Sequence, residues 1–224
     1  MDWILRRHGK QALGSWACIT VRASTVSMYA YPPAYKWSKR IRRWPLGGVL
    51  GLPTKVWASL YSPPGDWDLQ TSRFSDHPTF TEMCDLHQHA AHYKESLLYA
   101  RAAQELAKSG CFQYKKMALR STQELNHFFE HYLVGMITSM QLNGYDKTRA
   151  ADHPGVMIGR NGELIKSPRG RHRWAVASVL NLGGVTAEID CIHPIWLNQI
   201  GGGFDGERLV RLCDAIDRIQ QVAQ

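Results

Sequence analysis

The chain has 224 residues, of which 44% are hydrophobic and 21% charged, with a net charge of +8. That is enough sequence and enough apolar content for one large or two small globular domains, and it excludes a disordered or fibrous chain. No apolar run approaches the roughly 20 residues that cross a bilayer. Five scattered cysteines with no Cys-x-x-Cys spacing point away from a disulfide framework or zinc site, toward reduced thiols in a cytoplasmic protein.

Residues 1–60 form a basic, aromatic-rich segment that reads as irregular, with Pro32-Pro33 and Pro45 breaking it. It holds ten lysines and arginines against one acid, so the basic character of the chain resides there. The cluster Lys39, Arg40, Arg42, Arg43 and Trp44 interleaves cations with rings, the composition that grips a polyphosphate backbone and stacks bases, or rests on an anionic membrane surface. A solubilising face is the equal alternative. Val56–Tyr61 is an expected strand, ended by Pro63-Pro64-Gly65.

Residues 61–150 are mainly helical. Pro78 opens a stretch with apolar residues at helical spacing (Leu86, Leu97, Leu98, Ala102, Leu106), ended by Gly110. Thr122 is expected to cap the next helix, with Leu125, Phe128, Phe129, Tyr132, Leu133, Met136 and Ile137 as its buried stripe and Asn143-Gly144 as its end. Residues 151–200 begin with Val156–Ile158 and Glu163–Ile165 flanking Asn161-Gly162, a hairpin signal. A helix with an apolar face follows from Arg171, stopped by Asn181 and Gly183-Gly184, and then a returning strand over Val185–Ile192. Gly201–Gly203 is a break before residues 201–224 close the chain with an amphipathic helix from Gly206. The sum is an α+β protein.

The chemistry-bearing signal is Gly170-Arg171-His172-Arg173 at the opening of a helix. Cations in a first turn oppose the helix dipole, so their presence points to an anion that offsets the cost, bound by free N–H groups and the side chains. The order strand, Asn-Gly turn, strand, box, helix, strand, with Gly170, Arg173 and Ala177 in the box, resembles the ParB/sulfiredoxin superfamily. Arg171 stands where the sulfiredoxin box has its reactive cysteine, which argues against sulfinic-acid reductase chemistry. The resemblance is specific over about 153–196 and looser from about 60, where Pro64-Gly-Asp-Trp-Asp68 is similar to an element of uncharacterised ParB-like proteins.

The resemblance implies a nucleotide, ATP or CTP with Mg2+, held at Gly170, Arg171, His172 and Arg173, and phosphoryl transfer to a small molecule or glycan precursor. In related small-molecule kinases an acid near the nucleotide is the base. Glu163 is the candidate, with Asp146, Asp152 and Glu188 as rivals. Asp66 and Asp68 flank Trp67 on a turn, where they coordinate Mg2+ or cap the turn. Two alternatives stand beside the kinase: a ParB-like nucleic-acid-binding protein or nuclease using the basic segment, and a non-catalytic anion-binding protein. The groups His87, His89, His92, Glu95 and His127, Glu130, His131 carry metal-ligand types, but no third ligand is fixed by sequence, and surface or capping histidines are the expectation.

Overall fold

A computed structural model describes residues 4–31, 59–114, 117–149 and 152–224. The fold is α+β. Its centre is a mixed sheet in the order β1-β8-β6-β7-β2-β3. The strands are β1 (Cys18–Val21), β2 (Met28–Tyr29), β3 (Ser72–Arg73), β6 (Gly155–Ile158), β7 (Leu164–Lys166) and β8 (Val185–Ile192). A separate pair, β4 (Phe112–Tyr114) and β5 (Met117–Leu119), lies outside it. The helices are α1 (Arg6–Leu13), α2 (Pro78–Gln88), α3 (Leu97–Ser109), α4 (Thr122–His127), α5 (Gly135–Asn143), α6 (Arg171–Val179), α7 (Pro194–Gln199) and α8 (Gly206–Ala223).

The hairpin of β6 and β7 pairs Val156 with Lys166 and Ile158 with Leu164. Its loop is not the two-residue turn that Asn-Gly favours. The Gly159 N–H donates to the Glu163 carbonyl at 2.9 Å, and only Gly162 of the loop has positive φ, at 83°. A three-residue loop ending in a left-handed glycine results. β8 runs parallel to β6, with Val156 opposite Ile189 and Met157 opposite Cys191. Asp190 is therefore the extra residue of a bulge, a device that re-aims a side chain.

One face of the sheet, carrying Val156, Ile158, Val185, Ala187 and Ile189, shares a continuous core with α2, the middle helices and Trp174–Ala177 of α6. The other face places Met157, Ile165 and Cys191 against Ala30 and Trp67. Residues 1–50, expected to be irregular, contain α1 and β1. β1 is antiparallel to β8, and α8 lies over it, with the Thr20 N–H donating to Gln220 Oε1 at 2.7 Å. The first segment, the middle region and the C-terminal third thus all contribute strands to one sheet.

The helical stretch from Pro78 is two helices. It breaks over Ala90–Glu95, where His92 leaves helical geometry, and Ser96 caps α3 through the Tyr99 N–H. Gly110 ends α3 in the left-handed region. Ser121, one residue before Thr122, is the cap of α4: its Oγ accepts the Glu124 N–H at 3.1 Å. Between α4 and α5 the chain is π-helical over Phe128–Val134. The widened turn shifts the buried face, so Phe129, Leu133 and Ile137 are fully buried while Tyr132, expected inside, is 43% exposed. Gly202 and Gly203, read as a break, are buried and hydrogen-bonded to Leu197 and Arg208.

Candidate anion site at the first turn of α6

β7 delivers the chain to the box through Lys166, a wholly buried side chain on an otherwise apolar strand. Its ammonium donates to the carbonyls of Gly155, Ser167 and Arg169 and lies 5.4 Å from the Trp174 ring centroid. Burial holds its pKa well below the ordinary lysine value. The loop is fixed from the other side as well. Ser167 Oγ donates to Asp190, the bulge residue, and Arg169 reaches both Glu188 and Asp190. Glu188 also pairs with Lys10 of α1. Gly155 has no Cβ at the place where the Ser167 and Asp190 side chains meet.

Gly170 then turns the chain into α6 with φ of 67°, and a Cβ there would sit 2.7 Å from Pro154 Cα. Only glycine meets both demands. The first turn of α6 has no side-chain cap and no acidic residue. Arg171 extends to His77, with Nη1 3.0 Å from Nε2. His77 is itself the cap of α2, its Nδ1 3.1 Å from the Thr79 N–H. Each ring nitrogen thus faces an N–H donor, and a neutral imidazole accepts only once. With Nδ1 taking the Thr79 N–H, the ring proton sits on Nε2 and meets a guanidinium N–H head on. Burial, then the charges of Arg171 and Lys166, hold the His77 pKa below its ordinary value, so added protonation does not relieve the conflict. Two helix N-termini, Arg171 and His77 converge here.

The other box residues diverge. His172 packs against the Tyr114 ring, centroids 5.4 Å apart. Arg173 turns to the opposite flank, donating to the Asp152 carbonyl at 2.7 Å and its carboxylate at 3.2 Å. There it lines a cleft of about 290 Å3 walled by Tyr132, Met136, Met140, Tyr145 and Asp146. The π-helical stretch forms one side of this cleft, contributing His131 and Tyr132.

Of the acids named as candidates, Asp152, Asp146 and Glu188 lie near the box, while Glu163, Asp66 and Asp68 lie elsewhere. Glu163 stands at the opposite end of β7 from the box, where its Oε2 accepts the Asn161 N–H at 2.9 Å. Asp68 is buried and binds Arg160 through both oxygens, at 2.7 and 2.8 Å, and Asp66 takes the same guanidinium at 2.6 Å. His193 Nε2 is 3.5 Å from Asp68 and donates to the Gly65 carbonyl at 2.9 Å. This cluster clamps the Pro64–Asp68 turn onto the hairpin loop. The His127 and His131 rings lie 4.4 Å apart with their planes tilted by 48°, and His87 meets Gln141. Among the described residues no group of three or more His, Cys, Asp or Glu side chains is placed to hold a metal.

Lys39, Arg40, Arg42, Arg43 and Trp44 lie outside the described residues. Of the described cations in that segment, Lys10 is paired with Glu188 and Arg22 bonds to backbone carbonyls of Gln224 and Asn181. No described helix is long and apolar enough to cross a membrane.

His77, Lys166, Ser167 and Asp190 are the site residues that motif reading missed. His77 had a legible signal, since a polar residue before Pro78 is a helix start. Nothing in the sequence brings it to Arg171. Comparison with family models, with curated proteins and with solved structures finds no match.

Proposed function

We propose that this chain binds a nucleotide, its phosphates at the first turn of α6 and its base in the cleft beside Arg173. The contact between Arg171 and His77 carries the reading. An anionic oxygen placed between the guanidinium and the Nε2–H converts an opposed pair of donors into two charge-assisted hydrogen bonds. The uncapped N–H groups of α6 supply further donors to the same anion. The cleft on the Arg173 flank is near the small end of ligand pockets, and its Tyr and Met walls suit a planar ring.

Phosphoryl transfer is the chemistry that follows from a nucleotide held in this way. It depends on positioning and charge neutralisation more than on covalent chemistry by the protein. Mg2+ bound to a nucleotide keeps several waters and takes one or two carboxylates from the protein. Glu188 and Asp190 are committed to Arg169, Lys10 and Ser167. Asp152, 60% exposed beside Arg173, is the carboxylate suited to join such an ion. The ion would neutralise charge on the phosphates.

The test is a melting series with ATP, CTP, GTP and their diphosphates, with and without Mg2+, on wild type, Arg171→Ala and His77→Asn. Asparagine retains a capping acceptor for α2 while removing the ring donor. A nucleotide at 100 times its Kd adds about 2.7 kcal/mol, a rise of roughly 5–10 °C for a chain of this size. The rise should vanish in both variants. Absence of any shift in wild type rules the reading out.

A further inference from the structure

A second concavity, distant from the box, lies where the starts of β2 and β7 meet the last turns of α8. Its volume is about 520 Å3, within the range of small-ligand pockets. Val26, Met28, Leu164, Ile219 and Val222 make its walls apolar. Val222 is 88% exposed, a large apolar side chain turned to solvent at the mouth. Two charged residues line it. Glu163 contributes its stem, because its carboxylate folds back onto its own turn, accepting the Asn161 N–H and filling the space beside Gly159. Arg218 is the other, exposed at the rim and without a partner among the described residues.

We infer that this groove binds an amphipathic carboxylate, its aliphatic tail along the apolar wall and its head on Arg218. An apolar trough with one unpaired cation at its rim is complementary to a monoanion with a hydrocarbon tail, and unsuited to a cationic amphiphile. The inference is independent of the nucleotide reading.

Isothermal titration of the full chain with octanoate, decanoate and dodecanoate tests it. One saturable site is expected, with affinity rising about fourfold per added methylene. Arg218→Glu and Val222→Glu, both at exposed positions, should weaken decanoate at least tenfold while keeping the wild-type melting temperature. Arg171→Ala should leave decanoate binding unchanged. Failure of decanoate to saturate overturns the inference, as does unchanged affinity in the two glutamate variants. Equal binding of decyltrimethylammonium overturns the choice of an anion. A concentration-dependent dimer that Val222→Glu dissociates, seen by sedimentation, overturns it in favour of a second copy of the chain.

Discussion

Gly170 carries two constraints at once, a left-handed backbone and a Cβ direction blocked by Pro154 backbone. Gly170→Ala should cost about 2 kcal/mol or more, read from urea denaturation, because the strain and the clash add. Asp68 behaves differently. Burial by itself pushes its carboxyl up, but hydrogen bonds from Arg160 and the nearby His193 outweigh that and hold it below the ordinary carboxylate range. Its stabilisation is therefore present above about pH 4 and lost as pH falls through the lower folded value. Asp68→Asn should lower the urea midpoint at pH 7, since it leaves Asp66 as the one carboxylate facing Arg160 in this cluster. His77 acts in the same direction, at higher pH. Its folded pKa lies below the unfolded value of about 6.5, so the unfolded chain takes the proton first and stability falls as pH drops below about 6.5. Denaturation at pH 5 to 8 should show that slope in wild type and a reduced slope in His77→Asn.

Elements were legible where local chemistry decides them. Val185–Ile192 and the helix from Gly206 stand where alternation and amphipathic spacing put them, because β8 and α8 each bury one defined set of residues. The box opened a helix directly after its glycine. Three features depended on distant contacts and were not legible. β1 is a strand because β8 offers it an edge, α1 admits the Tyr61 ring only because Gly9 lacks a side chain, and the π-helical stretch turns Phe128, Phe129 and Leu133 into the main core. The candidate site divided in the same way. Arg171 was named as a candidate anion ligand, while its contact with His77, 94 residues away, was not legible. The acids were readable as chemistry, but long-range geometry assigned Asp66 and Asp68 to Arg160.

At the scale of the molecule, the sheet interleaves segments far apart in sequence. β1 and β2 come from the first 31 residues, yet they flank the strands that position the box. Leu13, Ile19, Val21 and Tyr29 from that segment are all within the main core. Deleting residues 1–31 should therefore abolish cooperative thermal unfolding rather than simply trim a tail, a result read directly by calorimetry. The same interleaving explains how one loop is held from several directions: Lys166 from within β7, Asp190 from the bulge in β8, and Glu188 bridging Arg169 to Lys10 on α1.

The most direct measurement is the tautomer of His77, by nitrogen-15 NMR of its ring, with and without ADP. The account predicts a neutral ring protonated on Nε2 in the free protein, and a downfield Nε2–H signal on adding ADP as that proton bonds to phosphate. A ring protonated on Nδ1 in both conditions would contradict it, because Nε2 would then simply accept from Arg171 and no anion would be needed.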